Sequence, residues 1–205
     1  MTKNLTDRDF KDDDEKWEFL RTAPAVDARE PVVAELGRIL WSAATIGALV
    51  GGNRERDQEN FCRLAMAYCR DVIRYESDTT RTGGEDIQHK GELSDILERG
   101  TDDCDGKARL FVALCLAAKI PARMVDHWKD DPRAPSGRDL YHVSGVVDLP
   151  EHPAPVPAEL TLYRARLGDN PSDFPRSVPH EVSGHWSRND VGEPNPDCPF
   201  NRRHT

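Results

Sequence analysis

The sequence predicts an α+β fold in which a helical N-terminal half is followed by a small antiparallel sheet. Apolar residues in the first half recur at three- and four-residue steps, the period of one face of a helix. A longer apolar run begins directly after Cys104 and predicts a helix that starts at this cysteine. Beyond it, alternating valine-rich segments are typical of strands. Helices that precede an antiparallel sheet indicate the α+β class.

Two helices are predicted before the cysteine. The first spans Pro31–Val50, because proline suits a first helical turn and Gly51-Gly52 ends the pattern. The second spans Arg56–Tyr75, where aromatic and aliphatic residues form one stripe. A polar loop over Glu76–His89 and a short helix over Leu93–Arg99 then lead to the cysteine.

The second half predicts three strands. Met124–Trp128 and Tyr141–Leu149 are the first two, separated by the charged loop Lys129–Asp139. Pro150–Pro157 holds four prolines in eight positions and is expected to lie outside any sheet. Leu160–Leu167 alternates again and is therefore the expected hairpin partner of the second strand.

The chain is long enough for one domain with extensions. At 205 residues it can bury a proper core. Residues 1–30 are charge-dense and predict a solvated N-terminal arm, residues 31–169 a single domain, and residues 170–205 an irregular C-terminal extension rich in Pro, Ser, Asn and His.

The charge balance excludes some partners. A net charge of −9 argues against binding to a nucleic-acid backbone. Met1–Asp14 is too polar for a signal peptide, and Glu35 and Arg38 interrupt the apolar segment Val32–Val50, so no membrane span is predicted. We therefore expect a cytoplasmic protein, while its oligomeric state stays open.

The cysteines favour a catalytic thiol over a cross-link or a metal site. Five cysteines without a CxxC pair fit neither a disulfide framework nor a four-ligand zinc site, and His180, His185 and Cys198 match no zinc spacing. We expect neither metal nor cofactor. Three further cysteines lie on apolar helix faces and are expected to be buried: Cys62, Cys69 and Cys115.

Cys104 has the position of a nucleophile. It opens a helix, where unpaired backbone N–H groups and the helix dipole favour a thiolate. Asp102, Asp103 and Asp105 oppose this effect, since nearby carboxylates disfavour a second negative charge. We expect Asp103 to act as the N-cap. The backbone N–H of Cys104 is a candidate oxyanion donor.

A cysteine nucleophile needs a base, and His142 is the best placed of seven histidines. It opens a predicted strand that follows the cysteine helix after one intervening strand. His127, at the end of that intervening strand, is the main competitor. The remaining histidines are His89 in the polar loop, His152 in the proline-rich turn, and His180, His185 and His204 in the C-terminal extension.

Residues 58–165 resemble the core of the transglutaminase-like superfamily, which includes transglutaminases, peptide N-glycanases and many bacterial cysteine peptidases. The resemblance lies in Asp103-Cys104-Asp105-Gly106-Lys107-Ala108, in Ile120-Pro121-Ala122-Arg123 and in the strand Tyr141–Val147. It implies a catalytic helix packed on a small antiparallel sheet, with the histidine at position 142 and an acid beyond it. Lys119 replaces the glycine usual before Ile-Pro, and Ser144 stands where a tryptophan is common.

Two residues compete for the role of the acid. Glu159 falls about where the resemblance places the hairpin acid and is favoured over Asp169, which lies further along the chain. Asp148 shares the strand of His142 but is six residues away, too far to touch the imidazole. A glutamate can hold an imidazole tautomer as an aspartate does.

These residues predict thiol-dependent acyl transfer on a peptide or protein substrate. Cys104 would form a thioester with the carbonyl of an amide or isopeptide bond, with His142 as base and acid and Glu159 as orienting carboxylate. Hydrolysis is the favoured outcome. The alternatives are protein cross-linking by a transglutaminase and a catalytically idle member that serves as a binding or assembly module.

Overall fold

The fold combines helices with small sheets, which agrees with the predicted α+β class, and it adds a parallel pair of two-residue strands that the sequence did not predict. The computed structural model describes residues 13–46, 54–76, 93–130 and 138–169. Within these ranges the helices are α1 (Asp13–Asp27), α2 (Pro31–Thr45), α3 (Arg54–Ala67), α4 (Leu93–Arg99) and α5 (Cys104–Ala117). The strands are β1 (Arg74–Tyr75), β2 (Thr101–Asp102), β3 (Ala122–Asp130), β4 (Arg138–Val147) and β5 (Val156–Ala158).

Helix α5 is the centre of the core. Ten consecutive residues, Gly106–Cys115, are buried in it. This burial explains why apolar residues surround the helix rather than forming one face, with Lys107 and Arg109 as buried exceptions. Helices α1, α2 and α3 and strands β3 and β4 all pack against it. Cys62, Cys69 and Cys115 are fully buried around this helix, as predicted.

Strands β3, β4 and β5 form an antiparallel sheet with β4 in the middle. His127 pairs with His142 across β3 and β4, and the register shifts at a bulge just after His127. Gly145 lets β4 approach α5 closely, since a Cβ atom there would lie 2.6 Å from Cδ1 of Phe111. The lack of a Cβ atom at Gly145 therefore allows β4 to pack closely on α5.

The predicted hairpin partner of β4 is wrong. β5 is formed by Val156–Ala158, whereas Leu160–Leu167 forms turns that still bury Leu160, Leu162 and Ala165. Pro157 is tolerated because β5 is an edge strand. Its carbonyl accepts a hydrogen bond from Gly168 N–H on the side away from β4. The N–H that proline lacks would face that same side, so no bond to β4 is lost.

The second predicted helix also differs from the observed one. After Ala67 the chain forms a π-helical turn over Tyr68–Val72 and then enters β1, which pairs in parallel with β2. Lys107 of α5 is fully buried, and its Nζ donates to the carbonyl oxygen of Arg70 within this turn at 3.1 Å. A buried ammonium needs a hydrogen-bond acceptor, and the π-helical turn supplies one. The apolar periodicity of the sequence does not predict this turn.

The expected N-terminal arm contributes to the core over its described part. Leu20 and Ala23 of α1 are buried, and Asp27 forms a buried ion pair with Arg109 of α5. The C-terminal extension, the end of the first predicted helix at 47–50 and most of the polar loop at 77–89 lie outside the described residues. Within the described ranges, no helix combines the length and the apolar character needed to cross a bilayer.

Candidate active site

Carboxylates shape the turn that presents Cys104. Asp103 is the N-cap of α5, as predicted, and its side chain accepts a hydrogen bond from Gly106 N–H at 3.4 Å. Asp102 is buried and accepts from the N–H of Asp103 at 3.0 Å. Gly106 makes room for it, since a Cβ atom there would lie 2.2 Å from Oδ2 of Asp102. The Asp-Asp-Cys-Asp-Gly sequence is thus one packed unit.

The Cys104 thiol is partly buried and surrounded by negative charge. Burial raises its pKa well above the usual cysteine value, and the carboxylates of Asp103 and Asp105 raise it further. A backbone hydrogen bond from Val143 of β4 acts in the opposite direction. The balance that the sequence left open therefore favours the neutral thiol in the free protein.

His142 is held by Glu159. Its Nε2 lies 2.6 Å from Oε2 of Glu159, which is fully buried at the end of β5. The other carboxylate oxygen, Oε1, accepts from the backbone N–H and the hydroxyl of Thr161, both at 2.7 Å. Burial raises the pKa of Glu159, but the hydrogen bond from His142, its charge and the two bonds from Thr161 lower it more, so the net shift is downward.

The competing acids have other partners. Asp169 accepts a hydrogen bond from the N–H of Arg166 at 2.8 Å and closes a local turn. Asp148 lies 3.4 Å from Nη1 of Arg123 in an exposed ion pair. Of these three candidate acids, Glu159 is the one in contact with His142.

The three favoured residues lie near the point where β5 stops: Glu159 contacts His142, and the N–H of Val143, the next residue along β4, bonds the Cys104 thiol. β5 pairs with β4 only over Gly145–Val147, so the backbone of Val143 lies beyond its end and donates to Cys104 instead. Val143 directly follows His142, and the charge of Glu159 also acts on the Cys104 thiol. A thiol, an imidazole and a buried carboxylate thus share one end of the sheet, an arrangement capable of nucleophilic acyl transfer.

A comparison with known families supports this assignment of the fold. Residues 49–152, slightly more than half of the chain, match the transglutaminase-like superfamily. The chain belongs to this superfamily. No curated protein matches the chain in a sequence search. Members of the transglutaminase-like superfamily are usually cysteine-dependent enzymes, and the position of Cys104 at the start of α5 agrees with that chemistry.

Sequence reasoning missed two further polar residues beside this transglutaminase-like site. Thr161 fixes the carboxylate of Glu159, and Ser144 bonds His127, with Oγ 2.8 Å from Nε2. The alternation of β4 could have indicated Ser144, because residues two apart lie on the same face of a strand. The Glu-x-Thr spacing carries the corresponding signal for Thr161, whose hydroxyl reaches two residues back.

The described residues present no metal centre. Among them, no group of three His, Cys, Asp or Glu side chains is arranged to hold a metal ion. His180, His185 and Cys198, which were considered as ligands, lie outside the described residues.

Proposed function

We propose that the protein is a thiol-dependent acyl-transfer enzyme that hydrolyses an amide, peptide or isopeptide bond. Cys104 is the nucleophile, His142 the base and acid, and Glu159 the group that orients His142. The observation that carries the proposal is the 2.6 Å bond between Glu159 and His142, next to the Val143 N–H that bonds the Cys104 thiol.

The first half of the reaction is acylation. Nδ1 of His142 takes the thiol proton while Sγ of Cys104 attacks the substrate carbonyl, so that a C–S bond forms and the carbonyl π electrons move to oxygen. The oxyanion reforms the carbonyl as the C–N bond breaks, and His142 gives its proton to the departing amine. The Cys104 backbone N–H, at the start of α5, is the expected oxyanion donor.

The second half is hydrolysis of the thioester. His142 takes a proton from water as the water oxygen attacks the acyl carbon, then returns the proton to Sγ as the C–S bond breaks. The product is a carboxylic acid and the free thiol is restored. An amine that attacked in place of water would give cross-linking. Hydrolysis is favoured because transfer to an amine requires the site to exclude water from the thioester.

The raised pKa of Cys104 decides how the thiol is activated. The raised pKa of the thiol favours its neutral form, so in this mechanism proton transfer to His142 accompanies the attack. His142 must then present an unprotonated Nδ1, which requires the Nε2–H tautomer. The carboxylate of Glu159 accepts from Nε2–H and selects that tautomer.

A simple acyl donor tests the three roles. We expect p-nitrophenyl acetate to release nitrophenolate and to leave one acetyl group on Cys104, located by peptide mass spectrometry and removed by neutral hydroxylamine. Cys104→Ala and His142→Ala should abolish the adduct. Glu159→Gln should slow its formation by about 10³-fold, because an amide N–H favours the wrong tautomer. Matched exposed controls, His152→Ala and Glu151→Gln, should retain the wild-type rate.

A second assay separates the possible products. Casein incubated with the protein and monodansylcadaverine should yield new peptide termini that depend on Cys104, with no fluorescent amine incorporated. Incorporation without new termini would replace hydrolysis by cross-linking. A protein that neither acquires the acetyl group nor alters casein would overturn the enzyme proposal in favour of an idle binding module.

A further inference from the structure

A second histidine lies directly against the proposed catalytic one. His127 of β3 faces His142 of β4 in register, with ring centroids 5.5 Å apart and planes inclined by 25°. Its Nε2 lies 2.8 Å from Oγ of Ser144, which is buried two residues further along β4. The proposed acyl-transfer chemistry gives this ring no role.

We propose that His127 is a positioning residue that holds the face of the His142 ring and must be uncharged for the enzyme to work. The inference rests on the proposed function of Cys104 and His142. Glu159 holds one edge of the His142 ring through Nε2. A single hydrogen bond at one atom still allows the plane of the ring to rotate. The stacked ring of His127 opposes that rotation.

The support forms a closed path within the sheet. His142 rests on His127, His127 is bonded to Ser144, and Ser144 is joined to His142 through one residue of β4. Ser144 is buried within β4. The orientation of the His142 ring therefore depends on two strands, in addition to the acid at the end of β5.

The charge state of His127 follows from its surroundings. Burial lowers its pKa, the nearby charge of His142 lowers it further, and Glu159 acts in the opposite direction. Two cationic rings this close repel each other, so a positive charge on His142 disfavours a second one on His127. Among the described residues, the charged groups that act on His127 are His142 on β4 and Glu159 after β5, while Asp103 and Asp105 at the start of α5 act on the Cys104 thiol.

A neutral His127 assists the proton transfer itself. When His142 takes the thiol proton, the resulting imidazolium lies over the π face of an uncharged ring, an arrangement that favours the cation. A protonated His127 would place a second positive charge beside it and oppose the transfer. His127 thus acts through His142, without contact to the substrate.

Four variants test the inference with p-nitrophenyl acetate as probe. His127→Ala and His127→Gln should lower kcat about tenfold with KM unchanged, because the ring face is lost. His127→Phe, which keeps a ring but cannot titrate, should stay within about threefold of the wild type. Ser144→Ala should fall between these limits. His152→Ala is the control, and urea unfolding of each variant separates loss of folding from loss of support.

The pH profile gives a readout that a packing role would not change. If both rings must be uncharged, log kcat/KM of the wild type should fall with a slope of two on the acid side, and that of His127→Phe with a slope of one. Equal slopes, or a folded His127→Ala with wild-type kcat, would overturn this inference while the Cys104→Ala and His142→Ala results uphold the proposed function. A wild type that is never acetylated would instead remove the proposed function.

Discussion

At the scale of single residues, the charge around Cys104 determines its reactivity. Asp103 and Asp105 flank the thiol, and each raises its pKa in addition to the effect of burial. The same residues build the turn: Asp103 caps α5, and Oδ1 of Asp105 lies 2.8 Å from the N–H of Gly106. The carboxylates that form the turn at Cys104 therefore also disfavour its thiolate.

Neutralising these carboxylates should activate the thiol in the free protein. Asp103→Asn keeps a good N-cap residue and Asp105→Asn keeps the side-chain size, while each removes a negative charge. Because the thiolate is the form that reacts, we expect iodoacetamide to label Cys104 several-fold faster at pH 7.5 in each variant. Peptide mapping would measure the rate, with buried Cys115 as the internal reference.

Asp148→Asn is the matched control, since Asp148 is exposed and pairs with Arg123. Its labelling rate should equal that of the wild type. Unchanged rates in the Asp103 and Asp105 variants would mean that burial alone sets the reactivity of Cys104.

The sequence predicts Cys104 at a helix start, as the fold confirms, but His142 is the fifth residue of β4 rather than the start of a strand. Glu159, the favoured acid, contacts His142. Ser144 and Thr161 act through short side chains whose partners depend on register and on a turn. Strand alternation and the Glu-x-Thr spacing indicate these two residues as candidates, but only the fold shows which side chains they bond.

At the scale of elements, α5 ends in a Schellman motif. Ile120 N–H bonds the carbonyl of Cys115 at 2.9 Å, and Lys119 N–H bonds that of Leu116 at 3.0 Å. Lys119 adopts a φ of +61°, in the left-handed region. A side chain with a Cβ atom is disfavoured there, and the glycine that the family resemblance leads one to expect at this position would avoid the penalty.

Lys119→Gly should therefore stabilise the protein. We expect the free energy of unfolding in urea to rise by about 1 kcal/mol, the cost of a left-handed non-glycine residue. Lys119→Ala is the matched control: it removes the same ammonium but keeps the Cβ atom, so its midpoint should stay near that of the wild type. A destabilised Lys119→Gly would show that the lysine side chain itself contributes to the end of the helix.

Two glycines that pack on α5 differ in the room that they leave. A Cβ atom on Gly145 would lie 2.6 Å from a ring carbon of Phe111, whereas one on Gly37 of α2 would lie 3.7 Å from Cβ of Ala117. The first contact requires either the buried Phe111 ring to shift or β4 and α5 to separate. The second is an ordinary van der Waals contact between α2 and α5. Gly37 lies within α2, and alanine is favoured over glycine inside a helix.

Gly145→Ala should destabilise the fold and impair the site together. We expect a loss of about 1–3 kcal/mol in unfolding free energy from overpacking, and slower acetylation of Cys104, since the Val143 bond to the thiol depends on the position of β4. Gly37→Ala should leave stability equal or higher by up to about 1 kcal/mol, with wild-type acetylation. A Gly145→Ala protein of unchanged stability would mean that Phe111 moves aside without cost.

The elements themselves were predictable where local pattern decides them. Helix α4 has the predicted bounds Leu93–Arg99, and α5 begins at Cys104 as expected. β5 was missed because its proline lies on an unpaired edge, while the alternating segment Leu160–Leu167 buries its apolar residues through turns. Alternating apolar residues indicate that one side of a segment is buried. The segment forms a strand only if its backbone also pairs with a neighbouring strand.

At the scale of the whole molecule, a buried ion pair joins the N-terminal helix to the centre of the core. Nε and Nη2 of Arg109 lie 2.6 and 2.7 Å from the two carboxylate oxygens of Asp27, and both side chains are about 5% exposed. The guanidinium also lies 5.4 Å from the ring centroid of Phe19. Helix α1, part of the segment predicted as a solvated arm, thereby packs on α5.

Breaking this pair on one side should unfold the protein far more easily than removing both charges. We expect Asp27→Ala to lower the unfolding free energy by about 3–5 kcal/mol, since Arg109 would stay buried without its counter-ion. The double variant Asp27→Leu/Arg109→Met should recover most of that loss, because neither charge is then desolvated. Arg38→Ala, which breaks the exposed pair with Glu35, should leave the urea midpoint unchanged. If Asp27→Ala also kept the wild-type midpoint, α1 would not be part of the cooperative unit, and residues 1–30 would be an arm in the sense first expected from their charge.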